Sequence, residues 1–344
     1  MGFIPDAIIV PGLGGSCLYD DRNRKIWPPA FFFGSDGYDL ACLDGRCSSK
    51  ERLFTAPLGD LDGIRYGNWL SRLVSTYNIY DPLIDRLLSE YAKHGEGRVS
   101  PFPYDFRLLL EEHYLDDLYR SFATFIERRD RPVVVYCHSL GGLVFRDFLL
   151  TRTDAWIRHY VRTVVYVNTP FDGSLLSLKV FLREHTRELD LTTRLLPGLG
   201  RFGGLFWCLP WYHTDRPILV TGSHTYRVGD TEDLFRFLSI KERFPTYQDV
   251  VQKRQRSRLV PLKETRSVFV CSSYNVPTPV LFTLDKKHGL TTSSWMLGDG
   301  VVTHESMTLP CAPDDAVFFM NDTHHSTLFQ KEEVLEVCVR ILLS

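Results

Sequence analysis

No stretch of the 344 residues is apolar for long enough to cross a membrane as a helix, since none reaches the roughly 18 residues such a span requires. Charge of one sign is missing too. Lys and Arg number 40 against 42 Asp and Glu, a formal net charge of −2, which argues against nucleic acid as the partner. Eight cysteines in a chain of this length are too few for a disulfide scaffold. Met1-Gly2-Phe3-Ile4-Pro5-Asp6 carries no basic segment, so a secretory signal is either absent or already removed, and a cytoplasmic or membrane-peripheral location is the expectation. Gly2 is not read as a myristoylation site, because Asp6 stands where Ser or Thr is required.

Against these absences stands Val133-Val134-Val135-Tyr136-Cys137-His138-Ser139-Leu140-Gly141-Gly142. Five strand-type residues run into a turn centred on a serine, and helical spacing follows from Leu143 to Leu150. A strand–x-H-S-x-G–helix turn is a nucleophile elbow. The flanking residues must be small; Gly141 meets that need, and Cys137 takes the place of the usual glycine. The turn lifts the Ser139 hydroxyl above the sheet and aims the Leu140 N–H, first of the next helix, at a reacting carbonyl. A buried serine that only caps this helix is the alternative reading.

A second glycine-rich loop, Pro11-Gly12-Leu13-Gly14-Gly15-Ser16, ends the buried strand Ile8-Ile9-Val10. Its spacing fits neither G-x-x-x-x-G-K-[ST] nor G-x-G-x-x-G, so a nucleotide phosphate is not its ligand. The loop suits the other half of an oxyanion hole, with the Leu13 N–H as donor. No cofactor is expected. Tandem His324-His325 beside Asp322 lacks a companion cluster with ligand spacing, so no metal is expected either.

Strands alternating with helices imply an α/β fold, with a mostly parallel central sheet covered by helices on both faces. Core segments are expected at 1–26, 61–173 and 266–344. Residues 27–60, with Ile26-Trp27-Pro28-Pro29-Ala30-Phe31-Phe32-Phe33, form a lid candidate or an aromatic plug of the core. Cys42 and Cys47 lie in this polar, loop-like stretch and would pair only in an oxidising compartment. Residues 174–265 break the alternation and are read as an inserted cap, apolar within and basic on its outer face from Lys253 to Arg266. Trp27 in the lid and Trp207 and Trp211 in the cap are the substrate-binding candidates. Asp105 and Arg107 are expected to form a structural ion pair beside the pocket.

Acyl transfer through serine needs a base for the hydroxyl proton and an acid to hold that base's tautomer. In α/β-hydrolase folds the chain order is Ser, acid, His. Ser139, Asp299 and His325 fall in that order, each at a strand end. His324 competes as base, and Asp172, Asp230 and Asp285 compete as acid.

With these blocks in view, the sequence resembles the lecithin:cholesterol acyltransferase family, which includes lysosomal phospholipase A2 and phospholipid:diacylglycerol acyltransferase. The resemblance runs through Val10–Ser16, Ile26-Trp27-Pro28, Pro103-Tyr104-Asp105-Phe106-Arg107, His138-Ser139-Leu140-Gly141, Val276-Pro277-Thr278-Pro279, Gly298-Asp299-Gly300-Val301-Val302 and His325-Ser326-Thr327-Leu328. It implies an α/β-hydrolase fold with Asp299 as the acid, and the His-x-x-(Leu/Met) block favours His325 over His324. It implies a serine acyl enzyme that takes a fatty acyl group from a glycerophospholipid and passes it to water or an alcohol. A phospholipid membrane or lipoprotein-like surface is then the expected peripheral partner. A general carboxylesterase or neutral lipase with the same triad, and a catalytically dead lipid-binding module, are the alternatives.

Overall fold

The computed structural model describes residues 4–27, 53–65, 79–95, 97–186, 199–222, 224–272, 275–310 and 312–344. The first strand, β1 (Ala7–Val10), is wholly buried, as its unbroken apolar run requires of a central parallel strand. Three short strands, β2 (Leu18–Tyr19), β3 (Lys25–Trp27) and β4 (Phe54–Thr55), form a small sheet beyond it. Helix α1 (Asp81–His94) starts where Pro82 fits a first helical turn and stops at Gly95, which takes a left-handed φ of 74°. Strand β5 (Val99–Pro101) leads to α2 (Glu112–Glu127), which buries Leu115, Leu118, Tyr119, Phe122, Phe125 and Ile126 along one stripe. Most of the lid candidate, with Cys42 and Cys47, lies outside the described residues.

Strand β6 (Val133–His138) is followed directly by α3 (Leu140–Leu150) and then α4 (Asp154–Tyr160) and β7 (Val161–Val167). The cap segment supplies α5 (Leu175–Thr186), α6 (Gly203–Cys208), β8 (Pro217–Thr221), β9 (His224–Arg227), α7 (Thr231–Phe237) and α8 (Phe244–Leu259). Strand β10 (Arg266–Ser272), the hairpin β11 (Val276–Asp285) and β12 (Gly289–Gly298), β13 (Val317–Met320) and α9 (Glu332–Leu343) complete the chain.

The fold is α/β. Six parallel strands run in the order β13-β10-β7-β6-β1-β5. Ile8, Val10, Val135 and Cys137 face the core under α2 and α3, while Ile9, Val134 and Tyr136 face the one under α1 and α9. Strand order reverses at β1: its successor β5 lies on one side and β6 on the other. Open parallel sheets bind ligands at such a switch point, beyond the carboxyl ends of the strands. Both glycine-flanked loops, 11–16 and 139–142, leave from that point.

A second sheet, β12-β11-β8-β9, joins the cap to the hairpin 276–298. The cap layer therefore draws on residues beyond 174–265. The basic outer face expected from Lys253 to Arg266 forms only in part: Arg256, Lys263 and Arg266 are exposed, while other cations of the segment turn inward. Arg254 is buried and donates to the carbonyls of Leu209, Pro170 and Phe171. Arg256 donates to the Leu150 carbonyl and Arg258 pairs with Asp172. These guanidiniums supply charged donors to backbone carbonyls and to a buried carboxylate. Burial lowers the Arg254 pKa to about 10, so the group is still charged at neutral pH.

Candidate active site

Strand β6 ends at His138 and α3 begins at Leu140, leaving Ser139 alone in the turn with φ 53° and ψ −125°. A non-glycine residue held there costs about 1–3 kcal/mol and persists only where its surroundings over-determine it. Two features do so. The Ser139 N–H donates to the Val167 carbonyl at 2.9 Å. Gly141 lies so close to the first loop that a Cβ there would stand 2.5 Å from the Pro11 oxygen and 2.6 Å from the Val10 oxygen. Gly141→Ala is therefore expected to push α3 off β1, lower stability by about 1–3 kcal/mol or more, and abolish turnover. A thermal melt and an ester assay on the variant check this; wild-type values in both would contradict the elbow packing.

His325 follows β13 in the loop before α9. Its Nε2 lies 2.8 Å from Ser139 Oγ and its Nδ1 lies 2.6 Å from Asp299 Oδ2. Asp299 is buried, and its Oδ1 accepts the N–H groups of Val301 at 2.8 Å and Val302 at 2.6 Å. Its second oxygen is thus left for the imidazole. A serine hydroxyl on an imidazole, itself held by a buried carboxylate, is the arrangement acyl transfer through serine requires. His324, the neighbouring histidine, is exposed. The other acids are occupied elsewhere: Asp172 by Arg258, Asp230 by the Arg227 N–H, and Asp285 by the N–H groups of Lys287 and His288.

The register places Val10 beside Cys137, so the first loop leaves next to Ser139. A Cβ on Gly12 would stand 2.9 Å from the Ser139 Cβ, which explains a glycine there. The Leu140 N–H opens α3 and has no acceptor within the helix. The Leu13 N–H has no backbone acceptor among the described residues. Side chains of both leucines close on the same point, since a Cβ on Gly204 would stand 2.7 Å from each. Gly203 and Gly204 are docked by N–H bonds to the Arg107 and Phe106 carbonyls. Asp105 and Arg107 form a buried two-point ion pair that holds those carbonyls, the structural duty expected of them.

Tyr80 carries no sequence signature, and the bonds that tie it and His138 into the site are not visible in the elbow motif. Tyr80, one residue before α1, accepts the Gly12 N–H at 2.8 Å and meets His138 Nδ1 at 3.0 Å. His138 Nε2 meets the His325 carbonyl at 3.1 Å. Their spacing along the chain, 68 and 187 residues for two of these bonds, gives pattern reasoning nothing to work with. Burial, with His325 nearby, lowers the His138 pKa from 6.5 to about 3. The unfolded chain takes up this proton near 6.5 and the folded protein only near 3. Stability from this residue is therefore complete above pH 6.5 and falls on acidification towards 3, by at most about 1.4 kcal/mol per pH unit. His138→Gln, which cannot take up a proton, is expected to flatten that loss in urea melts between pH 4 and 6 (~1 kcal/mol per unit). An unchanged slope would contradict a neutral His138.

A cavity of about 270 Å³ opens over Ser139 and His325, walled largely by apolar groups including Leu13, Leu176, Val180, Leu205 and Val301. A larger concavity of about 730 Å³, bordered by Arg98, Arg120, Arg128 and Arg129, contains none of the site residues. Cys208 also lines the apolar cavity, but burial pushes its thiol up to about 12 and so leaves it a poor nucleophile. The three tryptophans of interest do not line this cavity. Trp27 donates to the Gly14 carbonyl at 2.7 Å and braces the first loop. Trp207 is buried and donates to the Leu109 carbonyl, and Trp211 donates to that of Phe171.

Residues 61–202 match the family model of lecithin:cholesterol acyltransferase. The match is confined to that span, under half of the chain. It contains Ser139 and its elbow, whereas Leu13, Asp299 and His325 lie outside it. The chain is 26% identical over 308 residues to lecithin-cholesterol acyltransferase-like 1 of Arabidopsis thaliana, covering 75% of this chain and 69% of that one. It is 24% identical over 174 residues to the lysosomal phospholipase A and acyltransferase of Bos taurus, covering 48% and 42%. It thus spans under half the length of this bovine relative. A chain of the solved Tle4–Tli4 complex superposes with a TM-score of 0.59 at 12% identity, covering 99% of both chains. That last likeness concerns the fold alone. Homology to lipid acyltransferases and phospholipases thus stands beside an α/β-hydrolase architecture.

Proposed function

We propose that the protein is a serine-dependent lipid acyl hydrolase or O-acyltransferase that takes a fatty acyl group from a glycerophospholipid. The observation that carries this reading is Ser139 Oγ on a strained elbow, 2.8 Å from His325 Nε2, under an apolar cavity. Ser139 Oγ attacks the acyl carbonyl carbon and its proton passes to His325 Nε2. Asp299, accepting the Nδ1–H, offsets the charge on the imidazolium. The N–H groups of Leu13 and Leu140 receive the oxyanion as the carbonyl π bond opens. Collapse of the tetrahedral intermediate expels the lysophospholipid alkoxide, which takes the proton back from His325. The acyl–Ser139 ester then reacts with water or an alcohol, whose proton again passes through His325, and Ser139 is regenerated.

A lipid is favoured over a small polar ester because the cavity wall is largely aliphatic and offers an acyl chain contact that water does not match. The substrate would then be drawn from a phospholipid membrane or lipoprotein-like surface, bound peripherally. Incubation with phosphatidylcholine liposomes containing a sterol or a long-chain alcohol tests the reading. Free fatty acid that disappears with Ser139→Ala is the hydrolase outcome, and a new ester that disappears with it is the transferase outcome. Neither product, with small soluble esters still cleaved, would remove phospholipid as substrate.

A further inference from the structure

We propose that His138 is a positioning residue that ties the base to the oxyanion loop through one hydrogen-bond chain, an inference that rests on the serine acyl-transfer reading above. A carbonyl only accepts, so the 3.1 Å contact with the His325 carbonyl is a donation from His138 Nε2–H. In a neutral imidazole the Nδ1 atom is then an acceptor, and the hydrogen at 3.0 Å comes from the Tyr80 hydroxyl. The Tyr80 oxygen is left to accept the Gly12 N–H at 2.8 Å. Each group has one role, and the chain runs Gly12 N–H to Tyr80, Tyr80 to His138, His138 to the His325 carbonyl.

The consequence for His325 is that its backbone is held at both ends. Its N–H donates to the Asp299 carbonyl at 3.1 Å, and its C=O accepts from the residue beside Ser139. The base is thereby placed between acid and nucleophile by backbone bonds before its side chain makes any. The other end of the chain orients the Gly12 peptide, directly before the Leu13 donor. His138 must also be neutral to serve. The two imidazoles lie 5.0 Å apart between ring centroids, so a cation on His138 would oppose the imidazolium that His325 becomes.

The test is kcat and KM on a soluble p-nitrophenyl ester for Tyr80→Phe, His138→Phe, His138→Gln and the double phenylalanine variant. Tyr80→Phe and His138→Phe are expected to lower kcat by about 10- to 100-fold with KM within about twofold, the pattern of a misplaced base. The double variant should be no worse than the single His138→Phe, because the chain is already broken. His138→Gln should recover most of the lost kcat, since its amide can donate to the His325 carbonyl and accept from Tyr80. Additive losses, a failed rescue by glutamine, or a wild-type kcat in Tyr80→Phe would overturn the proposal. Tyr80→Phe removes a single oxygen and carries the test even where a His138 variant does not fold. Failure of the serine reading is separate: it shows as equal turnover by the parent protein and Ser139→Ala.

Discussion

Ser139→Ala is expected to lower acyl turnover by about 10⁶-fold, to the level supplied by the cavity and the oxyanion donors alone. The size follows from what the hydroxyl does. It is the atom that forms the new ester bond, and Cys208, the other nucleophile type on the cavity wall, is held protonated by burial. Folding should be little changed, because the side chain removed is small and the bond that sets the turn, from the Ser139 N–H to the Val167 carbonyl, is untouched. Steady-state assays on a soluble ester, with a thermal melt beside them, separate the two quantities. Turnover within tenfold of the parent would mean that another residue carries the acyl group.

Asp299→Asn is expected to cost about 10⁴-fold in kcat without loss of fold. The turn survives, since an amide oxygen can still accept the Val301 and Val302 N–H groups that now bind Oδ1. The amide NH₂ then faces His325 Nδ1, which stands 2.6 Å from Oδ2 in the parent. Two donors cannot face each other, so the imidazole is driven to the tautomer with its hydrogen on Nε2. That nitrogen can no longer accept the Ser139 proton. Asp299→Asn should therefore lose kcat while binding substrate normally. A kcat close to the parent's would show that the carboxylate does not set the tautomer.

Chemistry that depends on one short segment was legible from the residues. The elbow announces itself because strand, small flanking residues and helix are contiguous in sequence, and the chain order Ser, acid, His then narrows the partners. The α/β class was legible for a similar reason, since β1 and β6 are buried along their whole length and β7 at all but Arg162, and such strands read as nearly continuous apolar runs. Features made by distant segments were not legible. Arg254 and Arg258 read as part of a solvated basic face, and only the fold shows the carbonyls and carboxylate that draw them inward. Trp207 and Trp211 read as a cavity wall, yet their indole N–H groups find backbone carbonyls that hold the rings outside it. Tyr80 was invisible because nothing local distinguishes a tyrosine that accepts Gly12 from one that fills a core.

The most direct test of the account is to look for the acyl group on the enzyme. The protein is mixed with phosphatidylcholine carrying an isotopically labelled fatty acyl chain, quenched in acid within the first turnover, digested and read by mass spectrometry. The account predicts the mass of that acyl chain on the peptide containing Ser139, absent from Ser139→Ala and accumulating in Asp299→Asn only as slowly as its turnover allows. Labelled product released without any acyl adduct on Ser139, or an adduct on a different residue, would contradict it.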